Sequence, residues 1–166
     1  MPDVLLLGPT LASSPSTSNT WWTNYLQFVK DNASEPDQYM WHIEGGGDLE
    51  DDQATLATML ATYDLSAKAI NIDEYATPSE QVPSGAALWI SRLERYNTIG
   101  LRGNWLSSSQ LHDFLASLLG KPNGTSGGYN ATGTGYWPNG EWQVYHYYHL
   151  NMTGYRVSTT GSTDRL

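Results

Sequence analysis

Cysteine is absent from the 166 residues, which removes disulfide frameworks, thiolate zinc sites and cysteine nucleophiles together. Basic residues are scarce: eight Lys and Arg stand against 17 Asp and Glu, a formal net charge of -9. Such a chain repels phosphate backbones and anionic membranes, so neither nucleic acid nor membrane is an expected partner. Long apolar runs are missing too, and no window approaches the roughly 18 residues of a membrane span. The run Val4-Leu5-Leu6-Leu7 is too short for a signal peptide and follows Asp3 where a cation should sit. No export signal is visible in the chain.

What is present is aromatic. Seven Trp and 11 Tyr accompany two Phe, with 39% hydrophobic and 15% charged residues, a composition that excludes a disordered tail. The length suits one domain of roughly 100 to 200 residues. Sequons at Asn32, Asn123, Asn130 and Asn151 are candidate glycosylation sites and favour an extracellular protein.

Short apolar runs at Val4 to Gly8, Tyr39 to Ile43, Ala69 to Ile72 and Ile99 to Gly103 recur at the spacing of strand plus helix. Between them lie helical patterns: Trp22, Tyr25, Leu26 and Val29; Leu56, Leu60 and Tyr63 after an Asp48 cap; Ala86, Trp89, Ile90 and Leu93; and Leu111, Phe114, Leu115 and Leu118. Strands apolar on both faces that alternate with helices imply an α/β protein of about four parallel βα units. The segment Trp142 to Met152 fits a strand or a helix, and Pro138, Asn139 and Gly154 around it favour the helix. Glu50-Asp51-Asp52 reads as a solvated helix start.

The polar residues concentrate where those strands end. Gly8-Pro9-Thr10, then His42 and Glu44, then Asp73, Glu74 and Tyr75, then Arg102, Asn104 and Trp105 fall at the carboxyl ends, the edge at which parallel α/β proteins bind ligands. Gly45-Gly46-Gly47 and Gly127-Gly128 lack the context of phosphate-cradling loops, so no cofactor is expected. His146 and His149 have no third ligand at motif spacing, and no metal is expected. Two carboxylates beside Trp and Tyr faces suit glycoside chemistry, which needs one carboxyl as acid and one as nucleophile or base.

Several ordered pieces carry a resemblance. Ile70-Asn71-Ile72-Asp73-Glu74-Tyr75-Ala76, Gln81-Val82-Pro83-Ser84-Gly85, Trp89-Ile90-Ser91-Arg92-Leu93-Glu94-Arg95 and Gly100-Leu101-Arg102-Gly103-Asn104-Trp105 resemble secreted fungal barrel proteins of the glycoside hydrolase superfamily, as do Leu111 to Leu115 and Gly140 to Tyr145. The resemblance implies half of a (β/α)8 barrel of the retaining clan. Residues 1–154 would supply strands five to eight of this partial TIM-type barrel, and residues 155–166 would begin a C-terminal β segment. It places Glu74 at the nucleophile position and leaves the acid/base without a counterpart in this chain. His42, Glu44, Tyr75, Arg102, Asn104 and Trp105 become substrate-binding candidates, His42 as the residue that positions the nucleophile and Trp105 as a sugar-stacking platform. The expected partner is a neutral poly- or oligosaccharide. A half barrel would also pair with a complementary half or with itself, because its outer strands and inner surface are uncovered. The other reading of the same residues is a non-catalytic carbohydrate-binding or structural remnant.

Overall fold

Residues 4–45, 47–105, 117–120 and 135–157 are described by a computed structural model. In it β1 (Leu7–Leu11), β2 (Gln38–Ile43), β3 (Ala69–Tyr75) and β4 (Ile99–Arg102) form a parallel sheet in the order of the chain. Helices α1 (Thr20–Asp31), α2 (Leu49–Tyr63) and α3 (Pro83–Tyr96) connect successive strands. The alternation expected from the apolar runs is therefore present, and the strand order has no reversal. The chain divides into two compact units, one holding the residues up to Tyr75 together with Arg92–Arg102 and Thr159–Leu166, the other Ala76–Ser91 with Gly103–Ser158.

In the first unit, β2 shows why the sheet has one closed face. Tyr39, Trp41 and Ile43 are at most 1% exposed, while Gln38, Met40 and His42 between them are half-buried. Alternation sends the first set toward the helices. Trp41 meets the Trp22 ring of α1 edge-on at 6.2 Å, and its indole N–H donates to Asp52 of α2 at 3.2 Å. Trp22, Leu26 and Val29 on α1 and Leu49, Leu56, Met59 and Leu60 on α2 complete this layer; each aliphatic side chain so buried contributes about 1.5 to 3 kcal/mol.

Both helices start where the sequence has a capping side chain. Asn19 accepts from the Trp21 N–H at 2.9 Å, and Asp48 accepts from the Glu50 N–H at 2.9 Å, each satisfying an orphan donor of a first turn. α2 ends at Asp64, which takes a left-handed conformation with φ 55°, and the Leu65 N–H returns to the Leu60 carbonyl at 2.9 Å.

β1 differs from expectation. It runs from Leu7 to Leu11, so Gly8-Pro9-Thr10 lies inside the strand rather than beyond its end. Pairing begins only where β2 begins, with Leu7 opposite Gln38, and slips between Pro9 and Leu11. Pro9 has no N–H to give to the ladder, and Thr10 adopts φ 58°. The apolar residues before it, Val4, Leu5 and Leu6, are 60 to 67% exposed.

The reading of Asp52 as solvated is also corrected. Asp52 is 8% exposed and accepts from the Ser14 hydroxyl at 2.6 Å as well as from Trp41. It follows Leu49 by three and precedes Leu56 by four, which sets it on the buried stripe of α2. Burial pushes its carboxyl above the ordinary value, against the two hydrogen bonds that pull it down.

In the second unit, a two-stranded antiparallel ladder joins β5 (Leu119–Gly120) to β6 (Trp137–Pro138). The helix favoured for the aromatic stretch is there as α4 (Gly140–Asn151), capped by Asn139, whose side chain accepts from the Trp142 N–H at 2.9 Å. His146 stacks on Trp142 with ring centroids 4.3 Å apart. The expected helix through Leu111 lies almost wholly outside the described residues, and Leu119, just beyond that pattern, is strand. Residues 155–157 form no strand, and the rest of the expected C-terminal β segment lies outside the described residues. Among the described residues no helix is long and apolar enough to cross a membrane.

Candidate functional site

His42 projects from the half-buried face of β2, one residue before the strand ends, and Glu44 follows the strand. Asp73 and Glu74 come from the end of β3. In a regular strand consecutive residues point to opposite faces, yet both of these carboxylates reach His42. The Asp73 oxygen lies 3.2 Å from Nε2 of His42, and the Glu74 oxygen 3.5 Å from Nδ1. Glu44 approaches the same Nδ1 at 3.3 Å.

The register explains how two neighbours share a face. Trp41 pairs with Ile72, but His42 pairs with Glu74 and Ile43 with Tyr75, so the ladder slips by one residue at Asp73. An extra residue of this kind re-aims the side chains beyond it. Without the slip, Asp73 would stand opposite His42, and Glu74 would fall opposite Ile43, toward the helices. With it, Glu74 moves to the half-buried face and Tyr75 goes to the core. Tyr75 is 4% exposed, and the Tyr75 ring lies against Gly100, where an added Cβ would come within 3.0 Å of it. Tyr75 is thus core in this structure, where the sequence suggested a rim residue.

The Glu74 carboxyl sits at the edge of this group, 36% exposed, with Glu44 at 26% and His42 at 19%. Burial raises the Glu74 carboxyl above its ordinary value; the neighbouring Glu44 carboxyl raises it further, while His42 pulls it down. Asp73 is more enclosed, 11% exposed, and its second oxygen is buried without a hydrogen-bond partner. One ring thus stands between one carboxylate on its Nε2 edge and two on its Nδ1 edge. His42 Nδ1 or Nε2 and one oxygen each of Glu44 and Glu74 lie within 4.8 Å of one another, the group of donors that could share a cation.

Asp73, which the sequence reading set on the rim without giving it a role, belongs to this constellation. The signal was present in the Asp-Glu pair at a strand end, but period-two alternation assigns neighbours to opposite faces and so selects one of them. Arg102 ends β4 opposite Tyr75 and is half-buried. Asn104 and Trp105 belong to the other unit. There the Trp105 indole N–H donates to the Ala76 carbonyl at 2.8 Å, and Gln81 donates to the Gly103 carbonyl at 2.6 Å, tying the segment after β3 to the segment after β4. Trp105 remains 42% exposed.

Of the sequons, Asn32 is exposed but its side-chain amide donates to the Phe28 carbonyl at 2.8 Å, closing α1. Asn151 is exposed at the end of α4. Asn123 and Asn130 lie outside the described residues.

No family model matches the chain. No curated protein matches it either. Among solved structures, the structure of N2152 from Neocallimastix frontalis is similar over 63% of this chain, at 26% identity and a TM-score of 0.53. The chain spans 27% of that protein's length. The architecture the chain can claim is α/β, with a four-stranded parallel sheet and alternating helices.

Proposed function

We propose that this chain carries the nucleophile side of a retaining glycoside hydrolase site, as half of a (β/α) barrel that acts outside the cell on a neutral poly- or oligosaccharide. The observation that carries the reading is the Glu74 carboxyl at the carboxyl end of β3, facing His42 and flanked by Glu44. A sheet wound in chain order supports a barrel, since an open doubly wound sheet reverses its order at a switch point.

In the proposed reaction the ionised Glu74 attacks the anomeric carbon as the glycosidic bond breaks. A carboxyl from the complementary half protonates the leaving oxygen, and water then displaces Glu74 and releases the sugar. Glu44 does not take the acid's part. Retaining pairs stand about 5 to 5.5 Å apart so that the scissile bond fits between them, whereas Glu44 and Glu74 each bring an oxygen to the same His42 Nδ1, within 4.8 Å of one another. Arg102 remains a candidate for sugar contact in the unit that holds Glu74; in the other unit Asn104 and the 42% exposed Trp105 are candidates for sugar contact in their own right.

Activated 2-fluoro aryl glycosides test the assignment, because a good leaving group depends little on the missing acid. Mass spectrometry of the digested chain should find the sugar on Glu74. A label on another residue of the folded protein sinks the nucleophile assignment. The second reading, a carbohydrate-binding remnant, draws on that same closeness of Glu44 to Glu74. It expects oligosaccharide binding by calorimetry, weakened in Trp105→Ala by about 1 to 2 kcal/mol, with no label at all.

A further inference from the structure

We propose that His42 Nδ1, Glu44 and Glu74 together bind a divalent transition-metal cation of the zinc class, and that the bound ion withdraws Glu74 from attack. The masking of the nucleophile rests on the reading of Glu74 given above; the binding of the ion does not.

The three side chains come from two neighbouring strand ends. His42 and Glu44 stand two residues apart at the end of β2, the spacing that keeps them on one face, and the slip in β3 adds Glu74 to that face. Glu44 lies 3.3 Å and Glu74 3.5 Å from the same Nδ1. Ligand atoms about 2.0 to 2.2 Å from a tetrahedral zinc are about 3.3 to 3.6 Å from one another. Two of the three edges thus already have the length that a shared ion requires, and along the third an oxygen of each carboxylate lies within 4.8 Å of the other. The side chains are 19 to 36% exposed, so solvent reaches the fourth position of such an ion.

Charge points the same way. Three carboxylates approach one ring, since Asp73 stands 3.2 Å from Nε2 at the other edge. A protonated imidazole carries a single positive charge, which leaves the group negative when its acids are ionised. Two observations register that surplus. Burial and the neighbouring Glu44 raise the Glu74 carboxyl, and the second Asp73 oxygen is buried without a hydrogen-bond partner, the kind of loose end that a water or an ion explains. The class of ion follows from the donors. Carboxylates alone suit calcium or magnesium, whereas an imidazole nitrogen beside two carboxylates suits zinc and its first-row neighbours. On binding, the ion replaces the proton of the hydrogen bond between Nδ1 and Glu44, that proton passes to solvent, and the Glu74 oxygen that would attack is engaged as a ligand.

Calorimetric titration of the chelator-treated full chain with zinc chloride, and with magnesium chloride beside it, tests the site. One zinc ion per chain should bind, and magnesium far more weakly. Glu44→Gln, which keeps the shape of the side chain, and His42→Ala should each weaken zinc binding about tenfold or more, at least the scale on which losing the support of a ligand acts. His146→Ala and His149→Ala, on α4, should leave it unchanged. Zinc held by folded Glu44→Gln and His42→Ala as tightly as by the wild type overturns the proposal, and so does a wild-type chain that takes up no zinc. Glu44→Gln decides alone where His42→Ala fails to fold. In the 2-fluoro aryl glycoside assay, saturating zinc should stop the labelling of Glu74 and EDTA should restore it; labelling at full rate under saturating zinc overturns the masking. A wild-type chain that never labels without zinc removes the nucleophile reading and the masking with it, while the titration still decides the ion site.

Discussion

The two faces of β2 carry the same chemical pairing to different ends. On one face an indole N–H meets the carboxylate of Asp52; on the other an imidazole meets the carboxylate of Asp73. Both acids are largely enclosed and both hold an aromatic nitrogen. The indole does not ionise in the physiological range, and Ser14 gives Asp52 a second donor that does not titrate there. That pairing ties α2 and the segment before α1 to the sheet. The imidazole can take or lose a proton, and its other nitrogen faces two further carboxylates. An acid held by donors that do not titrate serves architecture, and one held by a donor that does can serve chemistry.

Removing the rings would separate the faces most sharply. Trp41→Ala should cost about 3 to 5 kcal/mol of stability, the range for a fully buried aromatic, whereas His42→Ala, on the half-buried face, should cost far less in a urea titration and abolish glycoside labelling. Equal stability losses would erase the distinction. A gentler version is Trp41→Phe, which keeps most of the packing and withdraws the donor from Asp52; about 1 to 3 kcal/mol follows from one unsatisfied buried group.

The acids offer a pH test with opposite readouts. Burial raises Asp52 above its ordinary 3.8 in the folded chain. A raised folded value means that its contribution is complete below the unfolded value and is lost as pH rises through the folded one. The urea midpoint of Asp52→Asn should therefore gain on the wild type as pH climbs from about 4 toward neutrality, and parallel profiles would show that the Asp52 carboxyl is not perturbed. On the other face the quantity that moves is rate. Glu74 is raised by burial first and by Glu44 second, and it must be ionised to attack. Glu44→Gln should accordingly shift the acid limb of the labelling profile to lower pH, with little change in melting temperature. A limb that moves upward would reverse the role given to Glu44.

The smallest effect concerns neither face. Asn19→Ala removes the cap of α1 and should cost about 1 kcal/mol, leaving the labelling profile where it was. A change in that profile would mean that the helix layer and the half-buried face are coupled, which the comparison above denies.

Much of this architecture was legible in the residues. The apolar runs marked the four strands, Asp48 and Asn139 announced their helices, and the carboxyl-end rim collected His42, Glu44 and Glu74. What was hidden depended on partners distant in sequence. Asp52 looked like one of three solvated acids until Ser14 and Trp41 were seen to reach it. The start of β1 was misplaced because an apolar run does not say where a neighbouring strand begins to pair. Tyr75 and Asp73 exchanged their expected standing because a slip in the ladder leaves no mark on hydrophobicity.

That slip makes the length of β3 matter more than its composition. A substitution at position 73 alters one side chain, but regular pairing of the same residues, with no slip, would exchange every role beyond it. Glu74 would turn toward Trp41's face, and Tyr75 would take the place beside His42. Anyone grafting this strand into another scaffold, or aligning it with a longer protein, must therefore carry the extra residue as an insertion. The acid that the site uses is defined by a count of residues before it is defined by a letter.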